Sequence, residues 1–131
     1  MRRRVDGSFG TFTQLPRREP TPLQERVDRI RELLDKDPNN QLSWLGLGRG
    51  LIDLGRPAEA VEPLRRAVEL QPDHAAAYRD LGRSLLESGN PMEAAEVFAR
   101  AIALAEKAGD IKTGREIHAF LRQAEKTLDR S

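Results

Sequence analysis

The chain has 131 residues, enough for one domain with one modest core, and 33% of them are charged against 38% hydrophobic, which describes a polar, soluble surface. A formal net charge of +1 offers no global attraction to nucleic acid or membrane, and no apolar run approaches the roughly 18 residues that a membrane helix needs. The absence of cysteine excludes disulfides and thiolate metal sites.

The chain opens on its one strongly basic segment. Residues 1–20 carry Arg2, Arg3, Arg4, Arg17 and Arg18 against Asp6 and Glu19, interspersed with Gly7, Gly10, Pro16 and Pro20. No apolar stretch follows the leading arginines, so a secretory signal is not expected, and a cytoplasmic location is the default. The lack of periodicity predicts a disordered or loosely attached arm, with Phe9, Phe12 and Leu15 as apolar islands that could dock on a partner or on this protein's own surface. Its few cations come without a stacking motif, so nucleic acid is not the expected partner.

Next comes a helix over 22–36. Thr21 is placed to cap it, Pro22 suits its first position, and Val27, Ile30, Leu33 and Leu34 form one apolar stripe. Beyond it the sequence repeats itself. Sliding it by 34 residues aligns 41–74 with 75–108, and twelve of the 34 pairs are identical, among them Gly48/Gly82, Gly55/Gly89, Pro57/Pro91, Ala60/Ala94 and Ala67/Ala101. Each unit reads as two helices. Gly55 in the first unit and Gly89 in the second stop the leading helix, and Pro57 and Pro91 open the next. Asn90 with Glu93 three residues on predicts a capping box. Pro63 lies inside a predicted helix and is expected to bend it. Without a proline at 106, the last repeat helix is expected to run to Ala108 and stop at Gly109. Asp110 then caps a final helix over 111–129, which would cover the end of the stack.

Small residues explain the pattern mechanically. Gly48 and Gly82, with Ala60, Ala67, Ala94 and Ala101 opposite, allow two helices to approach closely, while Trp44, Leu64, Tyr78 and Phe98 fill the remaining space. Trp44, Leu47, Gly48, Ala60, Ala67 and Pro72, then Tyr78, Leu81, Gly82, Ala94, Phe98 and Ala101, give the chain its resemblance to the tetratricopeptide repeat family. The resemblance implies an all-α fold, an α-solenoid of antiparallel helix pairs wound as a right-handed superhelix. It comprises about six helices: a partial repeat at 22–36, repeats at 41–74 and 75–108, and a capping helix at 111–129, together a domain over 21–131.

Nothing in the sequence points to catalysis or to a cofactor. His74 and His118 lack ligand-spaced partners, the serines show no nucleophile elbow, and the glycines of Leu45-Gly46-Leu47-Gly48-Arg49-Gly50 lie inside a repeat helix. The resemblance instead implies that the first helix of each repeat lines a groove that holds a protein or peptide. The positions implied are Leu42, Leu45, Arg49 and Ile52, then Ala76, Arg79, Arg83 and Leu86. Aligning the final helix by Ile117 and Leu121 adds Lys112, Arg115, Ala119 and Arg122. Arginine forks suit carboxylates, so the expected ligand is an acidic peptide or a terminal carboxylate at Arg49, Arg79 and Arg83. The alternative for these arginines is pairing with Asp80 and Glu87. Gly46 and Asp80 stand where the family's terminal-carboxylate clamp would need asparagine or a base, so that clamp is not expected. A second reading is a self-associating scaffold, a homo-oligomer in which the stripe of helix 22–36 buries against another copy.

Overall fold

The computed structural model describes residues 19–130, so the arm expected at 1–20 lies outside the described residues except for its last two. Six helices follow: α1 (Pro22–Lys36), α2 (Gln41–Asp53), α3 (Pro57–Leu70), α4 (Ala75–Glu87), α5 (Pro91–Ala108) and α6 (Ile111–Asp129). Turns of two to four residues join them, so successive helices run antiparallel. Each helix packs on the next, and α2 also touches α4, as α4 touches α6. The result is an all-α helical-repeat solenoid in which α2, α4 and α6 line one side.

The boundaries follow from local chemistry. Thr21 Oγ1 accepts from Gln24 N at 3.1 Å, Asn40 Oδ1 from Ser43 N at 3.0 Å, and Asp110 Oδ1 from Thr113 N at 3.1 Å. Each satisfies a backbone donor that the first turn leaves open. Gly55, Gly89 and Gly109 end their helices at φ of 78°, 91° and 70°, the left-handed region that a side chain resists. The capping box expected at Asn90 does not form. Glu93 is drawn across to Arg65 on α3 at 2.8 Å, and the Asn90 side chain makes no cap bond. An ion pair between helices wins over a local bond. Pro63 is buried, and α3 continues as α-helix through it.

The core is built on close approach. A Cβ added at Gly48 would lie 2.3 Å from Leu64 Cγ, and one at Gly82 would lie 2.4 Å from a ring carbon of Phe98. Ala60, Ala67, Ala94 and Ala101 are fully buried on the facing helices. Phe98 is fully buried and stacks on Phe120 of α6 at 5.7 Å between ring centroids, which ties the last repeat to the final helix. Burying each such large side chain contributes about 1.5–3 kcal/mol.

Helix α1 joins through the same device on a different face. Val27 and Ile30 close over Gly50 and Gly46 of α2, and Val27 and Leu34 are buried. The stripe expected to meet a second copy is therefore largely spent within the chain. Leu33 alone of its four residues stays largely exposed.

Gly82→Ala should lower stability by about 1–2 kcal/mol, the overpacking cost outweighing about 1 kcal/mol of helix propensity. Gly114→Ala, whose Cβ would meet nothing nearer than Ala105 Cβ at 3.9 Å, should raise it. Thermal melts of the two variants check this, and a stabilised Gly82→Ala would contradict the packing described.

Candidate functional site

A cleft of about 290 Å³ opens where α2, α4 and α6 lie side by side, lined by Arg49, Asp53, Arg79, Asp80, Arg83, Glu116 and Phe120. Its charges form a ladder across the three helices. Arg49 Nε donates to Asp80 Oδ2 at 2.5 Å, Arg79 Nε to Asp80 Oδ1 at 3.1 Å, and Arg79 Nη1 to Glu116 Oε1 at 2.8 Å. Asp80 is buried, so its two arginine partners are what make a carboxylate tolerable there. Burial works against the charge on Arg79, but Asp80 and then Glu116 outweigh it and raise its pKa. Arg83 Nε donates to Glu87 Oε2 at 2.7 Å, outside the ladder.

The expected groove residues fall into three sets. Arg49, Arg79 and Arg83 do come together in the cleft, but with Asp53, Asp80 and Glu116 beside them the lining is charge-balanced and not basic. Leu45 and Ile52 are buried in the core, because α2 is enclosed by α1, α3 and α4, and they offer no contact surface. Leu42 is exposed beside them in sequence, while Leu86 is half-buried against the core. Lys112, Arg115 and Arg122 are exposed on α6 but do not line the cleft, and Arg115 lines a separate cavity with His118. The cleft lies between neighbouring first helices, and among the described residues α6 has no such helix beyond it. Its outward positions therefore face the open end.

Sequence reasoning missed Glu116 and Phe120, the two residues that α6 does contribute. The alignment that pairs Ile117 with Leu81 puts Glu116 level with Asp80, and both carboxylates accept from an arginine of the preceding first helix. That equivalence was readable. Phe120 carried no comparable signal, because its place depends on the stacking with Phe98.

At the foot of α2 and α4, Gln41 Nε2 lies 2.9 Å from His74 Nδ1, while Gln41 Oε1 is buried with no hydrogen-bond partner. Partial burial, then the nearby Arg49, hold the His74 pKa below its ordinary value, against the opposing pull of Asp80.

Paired antiparallel helices at a 34-residue period, with a side-chain-lined cleft on their first helices, define a helical-repeat protein. The chain belongs to the tetratricopeptide repeat family, whose sequence model matches residues 27–68 and 45–110. No curated protein matches the sequence. Solved structures share the fold. The TPR2B domain of yeast Sti1, in complex with pHsp70, superposes with a TM-score of 0.76 at 17% identity, over 95% of this chain and 94% of that one. The first TPR of Spaghetti (RPAP3), bound to the HSP90 peptide SRMEEVD, gives 0.73 at 19% identity, over 96% and 88%. The protein BPP2914 from Bordetella parapertussis gives 0.67 at 25% identity, over 77% and 88%. No helix among the described residues is long and apolar enough to cross a membrane.

The depressed His74 pKa has a consequence for stability. The unfolded chain takes up the proton first, at the ordinary value of 6.5, so His74 contributes fully above that pH and less as pH falls through it. Between about pH 7 and 5 the melting temperature of the native protein should drop more than that of His74→Gln. Parallel pH profiles of the two would show no difference if His74 were unperturbed.

Proposed function

We propose that this protein is an interaction module that holds a carboxylate-bearing segment of a partner protein in the cleft between α2, α4 and α6. The observation that carries the reading is the state of two arginines at equivalent repeat positions. Arg49 and Arg83 each bond through Nε alone, and their side chains are 45% and 38% exposed. Their terminal Nη groups have no partner among the described residues, which leaves the outer edge of each guanidinium open to a carboxylate. Arg79 is spent on Asp80 and Glu116 and acts as a positioning residue. Phe120 offers an apolar surface beside the charges, and the exposed Leu42 extends from the same helix as Arg49.

Two of the similar structures are complexes, one with an HSP90 peptide carrying three acidic residues, SRMEEVD. A related mode here would be altered in one respect. Asp80 and Gly46 occupy the places a terminal-carboxylate clamp would use, and the Asp80 carboxylate would repel a chain terminus. Side-chain carboxylates reaching Arg49 and Arg83 from outside the ladder avoid that repulsion.

The test is fluorescence anisotropy with a labelled peptide that carries two glutamates and one aromatic residue. Arg49→Ala and Arg83→Ala should each weaken binding about tenfold, the order expected for one charge-assisted hydrogen bond. Arg122→Ala, outside the cleft, should leave it unchanged. Equal affinity across all four proteins would remove the cleft from consideration.

A further inference from the structure

The described solenoid ends in half a repeat on each side. α1 stands in the place of a second helix with no first helix before it, and α6 in the place of a first helix with no second after it, among the described residues. We infer that α1 of one copy packs on the outward face of α6 of another, with Leu33 filling the cavity over Gly114, so that copies associate head to tail. This surface is separate from the cleft, and the inference does not depend on the peptide reading.

The size of the side chains carries the argument. Within the intact repeats, Gly48 meets Leu64 and Gly82 meets Phe98. One turn along that antiparallel contact, Trp44 and Tyr78 on the first helix come level with Ala67 and Ala101 on the second. Arg100, next to Ala101, indeed lies 5.4 Å from the Tyr78 ring centroid. Intact repeats thus set a large residue on the first helix against a small one on the second. At the two ends the sizes are exchanged. The 34-residue period puts Leu33 in the place of Ala67 and Ala101. On α6, Thr113 and Ile117 are buried as Ala77 and Leu81 are, and Glu116 takes the role of Asp80, which puts Gly114 in the place of Tyr78.

The exchange leaves a hole and a knob. Over Gly114 there is a cavity of about 400 Å³, lined by Ile102, Ala105, Glu106, Ile111 and His118 among others. Ile111 on its rim is 70% exposed, and Leu33 at the other end of the molecule is 51% exposed. The same antiparallel docking brings Lys36, in the last turn of α1, toward Asp110 at the cap of α6 and Glu106 near the end of α5. At the other end Arg26 comes level with Arg122 and within a turn of Glu125, so the charges favour the contact at the Leu33 end only. His118 stands where the repeats have glycine. It holds the two helices further apart than an intact repeat, so the contact is weaker than the pairs inside the chain. The two surfaces differ, so the association is heterologous and does not close at a dimer.

Sedimentation velocity with two variants tests this. Leu33→Arg removes the knob and Gly114→Trp fills the hole; Leu33 is exposed, a side chain at Gly114 would enter the open cavity, and circular dichroism verifies that each variant folds. The native protein should gain mass beyond two copies between about 1 and 500 μM, a range spanning weak association. Each variant alone should stay monomeric. An equimolar mixture should form a heterodimer and stop, because one intact knob and one intact hole remain. A native mass constant over that range, a native mass that saturates at two copies, or a mixture that stays monomeric would each overturn the inference.

Discussion

The fold depends on one kind of contact, a bare helix backbone accepting a large side chain from the facing helix. At Gly48 and Gly82 there is no room for even a methyl group, and Leu64 and Phe98 occupy the space that a Cβ would need. The contact fixes how closely each pair of helices approaches, and through that the relative placement of every other side chain. Alanines on the facing helices serve the same purpose one turn away on either side. Where the chain needs a further close approach, between α1 and α2, it again uses glycine, at Gly46 and Gly50.

Close packing of the pairs delivers α2, α4 and α6 to one side, where charge takes over from shape. Asp80 is buried and would be costly alone, but two arginines on adjacent helices converge on it, and Arg79 passes the connection on to Glu116. The ladder therefore joins three helices that are far apart in sequence. It also divides the labour among the arginines. Arg79 is enclosed and doubly engaged, whereas Arg49 and Arg83 keep an outer edge toward solvent. A groove read only by counting cations would have been called basic; the carboxylates between them balance its charge.

The ends obey the same rule of sizes as the middle, inverted. A leucine replaces alanine on α1, glycine replaces an aromatic on α6, and histidine replaces glycine one turn further along α6. Leucine for alanine and glycine for an aromatic are complementary exchanges, whereas His118 in glycine's place has no smaller counterpart on α1.

The sequence by itself determined the family, the helix boundaries and the residues that let helices approach, because these rest on local signals repeated at a fixed period. The stops at Gly55, Gly89 and Gly109, and the caps at Thr21 and Asp110, fell where turn and cap chemistry placed them. Tertiary structure alone decided which polar residues meet. Glu93 left its own helix start for Arg65, Leu45 and Ile52 were enclosed by neighbouring helices, and α6 offered Glu116 and Phe120 in place of Lys112, Arg115 and Arg122. The physical reason is reach. Backbone geometry is settled within a few residues, but the partner of a long charged side chain depends on the rotation and spacing of helices some thirty residues apart.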